Sequence, residues 1–190
     1  MRANRCARVC ARLILLLIVT ATALLAPPPP LFAADAPLAD VTVPAIGRTW
    51  PVGLRPRVLR GWEPPATPYG PGHRGVDLAA PAGTPVRAVT AGRVSFAGRV
   101  AGKGVVSVDL TGTGDPPLRT TYEPVTATVE KGEEVEPGEV IGTVDASGSH
   151  CTAASCVHWG LRRGEVYLDP LSLLPSWLLR RGPSRLLPLA

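Results

Sequence analysis

The chain predicts an all-β domain, an antiparallel β-sandwich or partly open barrel. Three observations carry this. From about residue 57, short Val/Thr/Leu-rich runs follow one another closely; Gly and Pro punctuate them; and no amphipathic helical period intervenes. The predicted strands are Val76–Ala79, Pro85–Thr90, Arg93–Phe96, Val105–Leu110, Arg119–Tyr122, Ala127–Val129, Val140–Val144 and Val157–Arg162. Gly112-Thr113-Gly114-Asp115-Pro116 is a strong turn signal between two of them. A brief helical turn near Leu171–Leu174 is the one helix expected.

The flanks are of a different kind. Residues 1–34 hold Arg2, Arg5, Arg8 and Arg12, then an apolar run from Leu13 to Ala26 closed by Pro27–Pro30. That run is short for a membrane span and reads as a signal peptide or an N-terminal anchor. Residues 35–56 are Pro- and Ala-rich and read as a linker or irregular lead-in to a domain over 57–174. The tail 175–190 carries Trp177 and several Leu between Pro breaks, and is expected to pack back on the domain.

Charge excludes one class of partner. Residues 1–34 contain four Arg and no acid, so residues 35–190 are left with a net charge of about +1. The basic character belongs to the leader, and a nucleic-acid partner is not expected. Local basic clusters remain at Arg55/Arg57/Arg60 and Arg180/Arg181/Arg185. Membrane contact is expected only through an uncleaved N-terminal segment. Cys6 and Cys10 precede the apolar run, whereas Cys151 and Cys156 lie in the exported part, where a disulfide between them is expected.

The chemistry centres on three residues. His73 and Asp77 stand four apart in Gly72-His73-Arg74-Gly75-Val76-Asp77, and His158 follows in Cys156-Val157-His158-Trp159. In extended backbone, residues two or four apart share a face, so two adjacent strands would gather all three around one ion. Two imidazoles and a carboxylate suit Zn²⁺ and leave a fourth position open, the arrangement of a catalytic rather than a structural zinc.

The segment Gly72–Val86, with Ala91-Gly92-Arg93-Val94, Thr121-Tyr122 and Val157-His158-Trp159-Gly160-Leu161-Arg162, resembles the core of the lysostaphin/LytM-type zinc metallopeptidases. The resemblance spans about residues 50–174. It implies a secreted domain of the cell envelope with an antiparallel fold of the barrel-sandwich hybrid kind and a substrate groove. It also implies zinc on His73, Asp77 and His158, with peptide cross-links of peptidoglycan as substrate. The glycine-paced stretch Val129–Gly142 is similar to lipoyl and biotinyl carriers as well. Neither Lys103 nor Lys131 has the sequence setting of a carrier lysine, and the carrier reading is set aside.

Two departures stand out. The family carries a histidine in a Tyr-x-His-Leu pattern, and here Tyr122-Glu123-Pro124-Val125 puts Pro124 at that position. The first His of its H-x-H motif is replaced by Cys156. In the family those two histidines act on the attacking water and the developing oxyanion. Losing one such group typically costs about 100- to 10,000-fold in rate. Three substitutes are weighed: His150 from its loop; Glu123, which alternation from Pro124 turns to the opposite face; and a free Cys156 thiolate, which would close the metal site. The sequence therefore leaves two readings: a zinc-binding domain that holds peptidoglycan peptide or a partner hydrolase with weak or no catalysis, and an active zinc endopeptidase.

Overall fold

The computed structural model describes residues 42–67, 70–149, 151 and 155–180. Residues 1–41, His150 and the last ten residues lie outside these. Among the described residues, eleven strands make two antiparallel sheets: β1 Val58–Arg60, β2 Gly75–Ala79, β3 Pro85–Arg87, β4 Gly92–Val100, β5 Lys103–Leu110, β6 Leu118–Glu123, β7 Val125–Ala127, β8 Glu134–Val135, β9 Val140–Val144, β10 Cys156–Arg163 and β11 Val166–Leu168. The large sheet runs β1-β2-β10-β6-β5-β4-β8, with β11 also paired to β10. The small sheet is β3-β9-β7. A 3-10 turn, Pro170–Leu173, and a single helical turn, α1 Ser176–Leu179, follow.

All eight expected strands have counterparts, Val140–Val144 with the expected bounds and the others with shifted ends. The sixth sits earlier, at Val125–Ala127, because Thr128 and Val129 already lead into the turn at Gly132. β1, β8 and β11 were not expected. Each has only two or three residues, too few to show a period. Gly132 and Gly138 sit at φ 96° and 87°, the left-handed region that a side chain would strain, which explains the glycine pacing between Val129 and Gly142.

Strand alternation builds the core. In β6, Leu118, Thr120 and Tyr122 turn inward while Arg119, Thr121 and Glu123 turn outward. Val86, Val125, Ile141 and Val144 of the small sheet join Val94, Val106, Val108, Tyr122 and Trp159 of the large one in a single apolar cluster. Trp50 and Val52 are buried in the same cluster, so the irregular lead-in contributes to the packing before residue 57. Its backbone is tied in through Arg48 N–H to Val89 O and Gly47 N–H to Leu173 O, at 2.8 and 2.7 Å. Of the expected tail only 175–180 is described, and there Leu178 rests on the core while Trp177 and Leu179 are exposed. The buried core residues of the described chain run from Trp50 to Leu174 and form one cluster.

Candidate functional site

Backbone register sets up the site. In the ladder joining β2 to β10, Asp77 lies directly opposite His158; in the ladder joining β10 to β6, His158 lies opposite Glu123. Directly opposed residues of antiparallel strands project from the same face. Asp77, His158 and Glu123 therefore form one row across three strands. His73 precedes β2 and is fixed differently, by an isolated bridge in which it exchanges both backbone hydrogen bonds with Glu63. The expected extended segment from His73 to Asp77 is thus a bridge followed by a strand, and it still converges.

Three donor atoms meet at one point. His73 Nε2 is 3.1 Å from Asp77 Oδ1 and 3.1 Å from His158 Nδ1, and His158 Nδ1 is 2.9 Å from Asp77 Oδ1. His73 and Asp77 are buried; His158 is partly open. His73 Nδ1–H donates to the carbonyl of Gly61 at 2.6 Å, so the neutral ring presents Nε2 as a lone pair. That lone pair faces a carboxylate oxygen, an arrangement that favours a cation or a shared proton between them. An ion bound at about 2.0–2.1 Å holds tetrahedral ligands roughly 3.3 Å apart, close to the observed spacing. The donor set and its spacing fit zinc.

Gly75 makes room for the third ligand. A Cβ there would lie 2.4 Å from Trp159 O and 2.6 Å from His158 Nε2. Only glycine lets β2 pass this close to the imidazole.

A cavity of about 510 Å³ opens beside the cluster. Its floor is the outer face of β6 and β10, where Arg119, Thr121 and Glu123 oppose Arg162, Gly160 and His158 in turn. Arg119 is held by Asp109 at 2.5 and 3.0 Å, which raises the guanidinium pKa above its ordinary value. Arg74 reaches Gly70 O at 3.1 Å and stands 5.5 Å from the Tyr167 ring centre, a cation–π distance. Sequence reading did not single out Arg74, Arg162, Thr121 or Tyr167 as lining residues. Alternation from His158 along β10 was the available signal for Arg162.

Glu123 was expected to face away, on alternation counted from Pro124. But β6 ends at Glu123, Pro124 lies past the ladder, and Glu123 shares the face of His158, with Lys103 Nζ 3.8 Å from its carboxylate. Cys156 is bonded to Cys151, so it offers no thiolate to the cluster. The bonded sulfurs nevertheless lie within 4.8 Å of the Asp77 carboxylate, directly beside the three donors. His150 lies outside the described residues.

An antiparallel β scaffold with a two-imidazole, one-carboxylate cluster at the end of an open groove is the architecture of a metallopeptidase-like domain. The family model for peptidase family M23 matches residues 71–170, more than half of the chain and all three cluster residues, and the chain belongs to that family. It is 44% identical over 138 residues to an uncharacterized protein of Mycobacterium tuberculosis, covering 70% of this chain and 54% of that one. The chain thus spans about half the length of this relative. It is 34% identical over 105 residues to the DD-carboxypeptidase/endopeptidase Mpg of Neisseria meningitidis, covering 55% of this chain and 23% of the other. Helicobacter pylori Csd3 superposes with a TM-score of 0.55 at 27% identity, over 76% of this chain and 38% of that chain.

Proposed function

We propose that this is an exported zinc-binding domain of the bacterial cell wall that holds peptidoglycan peptides in its groove with weak or no hydrolysis. The observation that carries the reading is the pairing of a complete donor cluster with an incomplete catalytic set. His73, Asp77 and His158 would hold the ion, which supplies Lewis acidity and an open coordination position when bound. The chain's own groups then define what can follow. Gly61 orients His73 by accepting its Nδ1 proton, and Arg119, Arg162 and Thr121 offer donors to the carbonyls or carboxylates of a peptide lying over β6 and β10. Pro124 has no acid–base group, and Cys156 is spent in a disulfide. No histidine stands at either position to move a proton.

A second reading, an active endopeptidase, draws on one specific observation. Glu123 is a carboxylate on the cavity floor, opposite His158, where a proton acceptor would be useful. The two readings separate in a peptidoglycan digest with the Thr42–Ala190 fragment and added zinc, with released fragments read by mass spectrometry beside a His73→Ala control. The proposal expects about one zinc per chain, lost in the control, and no new peptide ends. Zinc-dependent new amine and carboxyl ends, absent from the control and from Glu123→Gln, would replace it with the second reading. No zinc uptake at all would refute both.

A further inference from the structure

A second surface, made of residues that do not line the groove, has a different chemistry. Among the described residues the large apolar side chains are mostly buried, yet Leu54 is 95% exposed, Trp177 62% and Leu179 41%. Single exposed apolar residues are ordinary. These belong to two segments that the fold ties together. Trp50 Nε1–H donates to Leu178 O at 3.2 Å, and the Arg55 guanidinium donates to Leu178 O at 3.0 Å and to Arg180 O. Leu178 is the residue that turns to the core, so its neighbours Trp177 and Leu179 are directed outward on either side of it. Leu54 precedes the arginine that makes the tie.

The two segments themselves contribute charge of one sign. No Asp or Glu occurs from Thr42 to Trp62 or from Pro170 to Arg180, while Arg48, Arg55, Arg57 and Arg180 are exposed there and Arg60 is paired with Glu63. None of the residues lining the groove lies in either segment. A few apolar side chains rimmed by guanidinium groups are too little for a stable protein interface, which needs hundreds of Å² and a dry centre. They match what a lipid surface needs: an indole at headgroup level, a leucine on each side, and cations facing phosphates. Among the described residues no helix is long and apolar enough to cross a membrane, so the contact is peripheral.

We propose that the Leu54/Trp177/Leu179 face docks the folded domain on an anionic lipid surface. Each arginine near such a surface raises partitioning about fivefold, and the indole and leucine side chains add the apolar part. The leader Leu13–Ala26 precedes the domain and would bring the chain to the same surface during export. The face would then hold the groove close to the bilayer whether or not the leader is cleaved.

The test uses the Thr42–Ala190 fragment, which holds every residue of the buried core, so that the leader does not contribute. Sedimentation with vesicles of equal parts phosphatidylglycerol and phosphatidylcholine should show binding, with little on phosphatidylcholine alone. Binding should fall most of the way at about 0.5 M salt, where screening acts within a few ångströms. The double variant Leu54→Ser/Trp177→Ser, which alters only exposed side chains, should bind at least about tenfold more weakly while unfolding at the same temperature. Equal binding by the variant, or none by the wild type, overturns the proposal. So does dimerisation that Trp177→Ser abolishes without vesicle binding, which assigns the face to a second copy. Binding that appears only after residues 181–190 are removed also overturns it, because the tail would then be the occupant.

Discussion

Replacing Gly75 by alanine tests the cluster through its backbone rather than its ligands. The added Cβ would lie 2.4 Å from Trp159 O and 2.6 Å from His158 Nε2. Both are about 1 Å inside the roughly 3.5 Å optimum for nonbonded heavy atoms. The first neighbour is a main-chain carbonyl in the strand next door, so moving it disturbs the β2–β10 ladder in which Gly75 faces Gly160. The second is the third ligand, which can yield only by giving up its 2.9 Å contact with Asp77. Overpacking of this kind costs about 1–3 kcal/mol, and the backbone clash places Gly75→Ala at the upper end. Metal affinity should fall by about 10- to 100-fold, the usual result of misorienting a ligand. Gly61→Ala is the matched control: its Cβ would meet nothing within 4 Å, and its carbonyl still accepts the His73 proton. Urea unfolding of the metal-free fragment and calorimetric titration with zinc give the two readouts. Wild-type unfolding and zinc affinity in Gly75→Ala would refute the account of how β2 and His158 are fitted together.

Three further outcomes are expected. Histidines restored at both departures (Pro124→His and Cys156→His, with Cys151→Ser to leave no unpaired thiol) should create or raise cross-link cleavage by at least about 100-fold; no gain with zinc still bound would show that those positions do not face the reacting peptide. Cys151→Ser/Cys156→Ser should cost about 2 kcal/mol in chemical unfolding, the chain-entropy value for so short a loop, and a loss below about 0.5 kcal/mol would mean that the loop is constrained without its bridge. Burial, opposed by a 3.0 Å hydrogen bond from Thr120, pushes the Tyr122 hydroxyl up to about 12. A folded pKa above the ordinary value of 10 gives stability that is fully present below pH about 10 and is lost as pH rises through about 12, up to roughly 2–3 kcal/mol. Tyr122→Phe should remove that alkaline loss, and an unchanged profile would contradict it.

The strand order of the fold was only partly legible, and the reason lies in what one-dimensional patterns record. β5, β6, β9 and β10 are five to eight residues long and carry the branched residues and Gly/Pro boundaries that announce strands. β8, at two residues, and β1 and β11, at three, exist because neighbouring strands accept their hydrogen bonds, a tertiary fact with no local signature. Trp50 and Val52 show the same limit from the other side. Their segment has no period, yet both are buried because Arg48 and Gly47 are bonded to Val89 and Leu173, far along the chain.

The donor cluster divides along this line too. His73, Asp77 and His158 were legible as a set because motif spacing is written in the sequence. What brings them within 2.9–3.1 Å is register: Asp77 opposite His158 in one ladder, with His73 held beside them by its bridge to Glu63. Glu123 exposes the difference most clearly. Alternation counted from Pro124 turned it away from the groove, and that counting assumed the strand continued through the proline. Pro124 has no N–H to donate to the ladder, β6 stops one residue earlier, and the same alternation applied within β6 puts Glu123 on the face of His158. The proline that removes the family's histidine is therefore also the residue that decides which side chain takes the end of the strand. A carboxylate and a lysine 3.8 Å apart now occupy that end. For this reason restoring histidine at position 124 and neutralising Glu123 are distinct experiments on the same corner of the groove: the first changes the residue beyond the ladder, the second the residue within it.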